Sequence, residues 1–323
     1  MKKKLFSVMS VAVLLFSVAS QASAASLSLN HVGATDHPYQ EGSLRFAELV
    51  KEYTGGSLTV DVFPASQIAS GAKSIEFVQM GTLDIALEST MAFSNFVPEI
   101  GVLDMPFLFA SKPEAFKVLD GEAGRKLSDF AEAKGFKILG WWDNGFRSIT
   151  STKGSVAKPE DLRGLKIRTP ESKVFLTTFE TLGAIPTPMA VSEVFSALQL
   201  GTVDASENSD SNNINNKYTE VCKYYSVTKH IYTAEPMVMS LDRFNAFTPE
   251  EQAAILRAAK EAGDYQREVS LKLDASNMET IAKTGVTLNI LEDISAFQAA
   301  CQPVYGAFAG EFGDLLKMIE AAR

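Results

Sequence analysis

Apolar and polar residues alternate from Leu27 to His31 (Leu-Ser-Leu-Asn-His), the two-residue period of a half-buried strand. The spacing then lengthens. Leu44, Ala47, Leu49 and Val50 line one face of a helix predicted from Pro38 to Tyr53, and Gly55-Gly56 ends it. Leu58 to Val62 alternates again, Ile75 to Met80 is helical, and Leu83 to Leu87 is a third strand. This β-α-β-α-β order predicts a mainly parallel sheet covered by helices. Such sheets deliver ligand contacts at the C-terminal ends of their strands, where His31 and Glu88 fall.

Lys112 to Ala133 is mostly helical, and Phe136 to Trp141 reads as a strand. A second α/β run follows: strand Leu165 to Arg168, helix Ser172 to Thr181, a short strand Ala184 to Thr187, helix Val191 to Leu200, and strand Val203 to Glu207 with Asn208 at its end. Met237 to Leu241 reads as a strand returning to the first unit. Thr248-Pro249-Glu250-Glu251 combines an N-cap, a proline at the first helical position and an acidic first turn. The helical pattern then runs to about Ala282, with Gly263 as its weak point. At 1.5 Å per residue such a helix is about 45–50 Å long, too long for one small lobe, so it should span two. A strand from Val286 to Ile290 and C-terminal helices close the chain. No repeat, low-complexity tract or flexible linker interrupts it, which suits lobes joined by structured crossings and hinge motion.

The N-terminus reads as an address. Lys2, Lys3 and Lys4 precede a largely apolar run from Leu5 to Ala19, whose 15 residues are short for a bilayer. Ala22-Ser23-Ala24 then supplies small residues for cleavage after Ala24, so a periplasmic chain secreted through a cleaved signal peptide is expected. A hydrophobic fraction of 46% is enough for real cores, and a net charge of −9 argues against nucleic acid or anionic membranes as partners. Any anion must therefore be captured by a local arginine cluster. Two cysteines, Cys222 and Cys301, leave open either a disulfide or two separately buried thiols. There is no CxxC or HExxH, and His31, His37 and His230 share no helical spacing, so neither metal nor cofactor is expected. The absence of a GxSxG elbow and of an informative Cys/His pair argues against an exported α/β enzyme with Glu88 as base and Arg168 as anchor. No catalytic residue is assigned.

Two arginines stand in short motifs, Asn144-Gly145-Phe146-Arg147 and Leu165-Lys166-Ile167-Arg168-Thr169-Pro170, and Val203-Asp204-Ala205-Ser206-Glu207-Asn208 follows. An arginine fork grips a carboxylate through two parallel hydrogen bonds and keeps its proton on burial. Two guanidiniums and an amide brought into one cleft would make a carboxylate receptor. Val97-Pro98-Glu99, Asp104-Met105-Pro106-Phe107-Leu108-Phe109, Asp161-Leu162-Arg163-Gly164, Pro188-Met189-Ala190, Ser192-Glu193-Val194 and Ala197 to Asp204 occur at matching intervals. In this order the motifs resemble the DctP-type periplasmic solute-binding proteins of tripartite ATP-independent periplasmic (TRAP) transporters, over essentially the whole mature chain.

The resemblance implies an α/β, two-lobed clamshell with hinge strands and a long lobe-spanning helix, closing over one small organic anion. One lobe would comprise 25–145 and 234–273 and the other 146–233 and 274–303, with 304–323 as a helix packing back on the first. It implies the principal bidentate contact from Arg168, with help from Arg147 and Asn208. Glu88 matches a polar contact of sialic-acid-binding members, and His31 stands at another. Ser209 replaces a proline common in the family, and Asp210 just after it is a further group for ligand hydroxyls. Trp142 as a pocket wall and Ser70 complete the candidate set. The implied partners are a small organic anion and the TRAP membrane subunits, with the chain acting as a monomer. A sugar acid or other hydroxylated carboxylate is the expected ligand, a C4-dicarboxylate the alternative. Two guanidiniums held close together would repel, and the anion would relieve that repulsion as the lobes shut.

Overall fold

The computed structural model describes residues 25–323, so the predicted leader lies outside the described residues. The first run comprises β1 (Ala25–His31), α1 (Pro38–Tyr53), β2 (Leu58–Phe63), α2 (Ala72–Gln79), β3 (Ile85–Leu87), α3 (Thr90–Phe93), α4 (Lys112–Asp120), α5 (Glu122–Ala133) and β4 (Phe136–Ser151). The second comprises β5 (Lys166–Thr169), α6 (Lys173–Thr181), β6 (Ile185–Pro188), α7 (Val194–Gln199), β7 (Ala205–Ser209), α8 (Asp210–Asn215), α9 (Tyr218–Val221) and β8 (Tyr224–Val227). Then come β9 (Tyr232–Ser240), α10 (Leu241–Asn245), α11 (Pro249–Lys283), β10 (Thr287–Ile290) and α12 (Ser295–Ala322).

The strands form one sheet in the order β2-β1-β3-β9-β4-β7-β5-β6, with β8 on β4 and β10 on β8. The mainly parallel expectation holds at the flanks, where β1 pairs parallel with β2 and β3, β5 with β6 and β7, and β10 with β8. The centre is different. β4 pairs antiparallel with β9, β7 and β8, and β3 pairs antiparallel with β9. β4 is 16 residues long, far beyond the predicted end at Trp141. The strand continues through Asp143, Asn144, Arg147 and Ser148, polar residues that are all buried within it. β4 and β9 are thus the hinge strands, carrying the sheet from one lobe into the other.

The helix that the Thr248 cap announces runs 35 residues, and the cap closes a full capping box with Glu251. It packs on α1 and β4 at one end and on α8 and β10 at the other, so it spans both lobes. Trp141 and Trp142 point to opposite faces of β4 and join two different apolar cores. Glycines on two helices make room for Trp142. A Cβ at Gly42 of α1 would lie 2.7 Å from the indole, and one at Gly263 of α11 would lie 3.1 Å from its Nε1. The weak point in the long helix is therefore a packing site. α12 is one helix, with Pro303 inside it. Its Phe297 and Cys301 join the core around Ile167 and Phe175, while Val304, Phe308, Phe312, Leu315 and Ile319 join the core around Phe93 and Phe136. Cys222 and Cys301 are free thiols in separate cores, so they form no disulfide.

Candidate functional site

A cavity of about 240 Å³ lies where the hinge strands cross between the lobes. Five of the eight candidate residues line it: Arg168 on β5, Arg147 on β4, Asn208 on β7, Glu88 just after β3, and Ser70 before α2. The sheet explains the convergence. Arg147 pairs with Ser209 across β4 and β7, and Arg168 pairs with Ser206 across β5 and β7, so neighbouring strands present both guanidiniums beside Asn208.

Arg168 is buried, and its Nε and Nη2 both donate to the carbonyl of Met189, at 3.1 and 2.8 Å. No protein group takes its Nη1 among the described residues. Burial lowers its pKa, but from a value so high that the charge stays. The nearest compensation is indirect, through the more distant field of Glu207.

Arg147 is held quite differently. Its Nε donates to one oxygen of Glu207, and its Nη2 donates to the other at 2.8 Å and to the Glu207 backbone carbonyl at 2.9 Å. Phe175 lies under the guanidinium, 5.3 Å from Cζ. His230 Nε2 sits 3.3 Å from Glu207, and its Nδ1 meets Thr228 at 2.7 Å. Burial alone would push the Glu207 carboxyl up, but Arg147 and His230 together hold it below the usual range. The two guanidiniums are therefore not an unrelieved pair of like charges, as the sequence suggested. Glu207 already neutralises Arg147, and only its buried Nη1 lacks a partner.

Asn208 does not cap α8; Ser209 holds that position. Its Oδ1 accepts from the Ser209 N–H at 2.9 Å, which leaves its amide for the cavity. At the other end, Glu88 accepts from the backbone N–H of Gly71 at 2.8 Å and of Ser89 at 3.2 Å, not from an arginine. Burial still raises it to about 7.

Three candidates do not reach the cavity. Trp142 is wholly buried between Gly42 and Gly263 in the core of one lobe. His31 is buried with Nε2 at 2.9 Å from Gln40 Oε1, and burial lowers its pKa to about 4. Asp210 accepts from the Tyr225 hydroxyl at 2.5 Å and from Ser148 Oγ at 3.0 Å, which ties α8 to β8 and β4 and turns it to another cavity behind the hinge. The sequence reading missed Glu235 on β9, and it assigned no ligand role to Asn144 or Asn212, which also line the site. Asn144 follows Asp143 at a bulge in the β4–β9 ladder, and it donates to Glu235 at 2.9 Å. Bulges re-aim side chains in this way. Among the described residues no group of three His, Cys, Asp or Glu side chains could hold a metal ion.

Two α/β lobes, hinge strands between them, and a buried cation facing an interlobe cavity define a solute-binding protein of the clamshell class. Residues 29–311 match the DctP family, bacterial extracellular solute-binding protein, family 7, and the chain belongs to that family. A solute-binding protein of Verminephrobacter eiseniae is 38% identical over 279 residues, 86% of this chain and 83% of that one. A TRAP periplasmic solute-binding protein of Sulfitobacter sp. NAS-14.1, solved with β-D-galacturonate, superposes with a TM-score of 0.88 at 33% identity, covering 93% of this chain and 99% of that one. One from Sulfurospirillum deleyianum, solved with succinate, gives 0.87 at 34% identity over 92% and 99% of the two chains. The chain is thus a periplasmic TRAP-type binding protein and not a catalyst. It captures a small organic acid for a TRAP membrane transporter.

Proposed function

We propose that the captured acid is a hydroxylated monocarboxylate of sugar-acid type. The observation that carries this reading is the asymmetry of the cavity. One lobe supplies Arg168 with an N–H edge that no protein group uses, and the other supplies the buried carboxyl of Glu88. A ligand carboxylate fits the first end, with Arg147 Nη1 and the Asn208 amide as its further donors. Hydroxyls fit the second end, beside Ser70. Each hydrogen bond to a charged group contributes about 1.5–3 kcal/mol net, so three of them provide about 4.5–9 kcal/mol, a range that includes the roughly 8 kcal/mol of a micromolar complex.

A C4-dicarboxylate is the alternative, since the Sulfurospirillum relative was solved with succinate. Its second carboxylate would meet Glu88, and Lys73, the lysine that lines this end of the cavity, is paired with Glu76, which disfavours it here. In the proposed cycle the chain is cleaved after Ala24, acts as a monomer, and closes 25–145 with 234–273 onto 146–233 with 274–303. The closed form is then what the membrane subunits recognise. A thermal-shift panel of D-galacturonate, D-glucuronate, galactonate and succinate, with mass spectrometry of acids that co-purify, tests the reading. Sugar acids should raise the melting temperature and succinate should not. A larger shift with succinate would overturn the choice.

A further inference from the structure

Glu88 has a neighbour that no reading of the motifs assigned. Glu235 lines the same cavity from β9, and Glu88 follows the neighbouring strand β3, with the Glu88 N–H donating to Pro236 O at 3.3 Å. Two buried carboxyls this close cannot both ionise at ordinary cost. Their partners decide which one keeps the proton. Glu88 accepts two backbone N–H bonds, which favour a carboxylate. Among the described residues Glu235 accepts from the Asn144 amide, and its buried Oε1 takes no close hydrogen bond.

We propose that Glu235 and Glu88 form a donor–acceptor pair, Glu235 the protonated acid and Glu88 the carboxylate, and that this pair selects the hydroxylated end of the ligand. The proposal rests on the capture reading above and deepens it. The carboxylate accepts a hydroxyl proton from the ligand, and the acid donates its own to a ligand hydroxyl or ring oxygen. The surroundings agree. Burial pushes Glu235 well above the usual carboxylate range, and the charge of Glu88 pushes it further. From α1, the Tyr39 hydroxyl faces Glu235 and, as a donor to it, opposes that rise. From β4 come Asn144 and the positive field of Arg147, which oppose it too. Asp143 acts on Tyr39. From the α2 side, Gly71 and Ser74 face Glu88, while Lys73 is committed to Glu76 at 2.7 Å. Tyr39 itself is pushed well above 10 by burial, so it does not titrate in the range that matters.

The sign of the pH dependence follows. The binding form holds the proton on Glu235 and none on Glu88, so affinity rises as pH climbs through about 7, where Glu88 ionises, and falls again as pH rises through the raised pKa of Glu235. Isothermal titration of D-galacturonate between pH 6 and 9.5 tests this, with unliganded melting curves as the check on folding. For the natural protein Kd should weaken measurably as pH rises across the alkaline half of the range. Glu235→Gln keeps a donor but cannot lose a proton. Whatever its affinity at pH 7, it should show no alkaline weakening up to pH 9.5. A flat profile for the natural protein overturns the pair, whatever the variant does, and so does a Glu235→Gln profile with the natural slope. If Arg168→Ala abolishes binding while these pH results fail, the pair falls and capture stands. If the natural protein binds no acid of the panel, both fall.

Discussion

Arg168 and Arg147 are both buried beside one cavity, yet Glu207 balances Arg147 directly while Arg168 is fixed by a backbone carbonyl alone. The difference separates two jobs that the same side chain can do. Arg147 is part of the frame: its charge is spent on Glu207, and Glu207 ties it to His230 and Thr228. Arg168 carries charge that only a ligand can balance at close range. The largest expected effect is therefore on binding. Arg168→Ala removes two charged hydrogen bonds to the acid, about 3–6 kcal/mol, or roughly a hundredfold to ten-thousandfold in Kd. The unliganded melting temperature should barely move. Retained micromolar binding, read by calorimetry, would erase the contrast between the two arginines.

The mirror-image variant is Glu207→Gln. It leaves Arg147 as an uncompensated buried charge, which typically costs about 3–5 kcal/mol of stability. Urea unfolding without ligand should report that loss, with no comparable loss for Arg168→Ala. If Glu207→Gln unfolds at the natural midpoint, the frame assignment of Arg147 is wrong.

A weaker lever acts at the edge of the frame. Asp104 is wholly buried, accepts from Thr90 at 2.5 Å, and burial raises it to about 7 although Thr90 and Arg147 oppose this. Its folded pKa lies above its unfolded one, so the folded state holds the extra proton. Its contribution is full below the unfolded pKa near 4 and is lost as pH rises through about 7. Asp104→Asn, neutral throughout, should make stability fall less between pH 4 and 8, by about 1–4 kcal/mol. Equal slopes for the two proteins in urea titrations at several pH values would show that Asp104 is not held neutral.

Much of the fold was legible because its periodicities are local. The Thr248 capping box, the alternation of Leu27 to His31 and the glycine break at Gly55-Gly56 each report on their own segment. The length of β4 was not legible. Its second half is polar, and only the sheet on either side, β9 and β7, turns those polar residues inward and satisfies them. The site divides along the same line. Arg168, Arg147 and Asn208 follow from motif identity and strand ends. Glu235 belongs to none of the motifs; it enters the cavity because β9 runs antiparallel beside β3 and β4. Trp142 was misplaced because alternation tells which residue leaves a face but not what waits there, and two helix glycines were waiting.

Asp210 supplies the finest test of the contrast between frame and ligand contact, because Asn208 lies only two residues before it. Asn208 is at the end of β7 with its amide toward the cavity, while Asp210 opens α8 and is turned away to Tyr225 and Ser148. Burial raises the Asp210 pKa, so a neutral replacement suits its surroundings. Asp210→Asn keeps an acceptor for the Tyr225 hydroxyl and should change Kd for a bound acid by less than about twofold, under 0.5 kcal/mol. Asn208→Ala should cost about 1–3 kcal/mol in the same titration, the loss of one charge-assisted bond. A tenfold loss from Asp210→Asn would mean that α8 swings toward the ligand as the lobes close, and that Asp210 belongs to the ligand set after all.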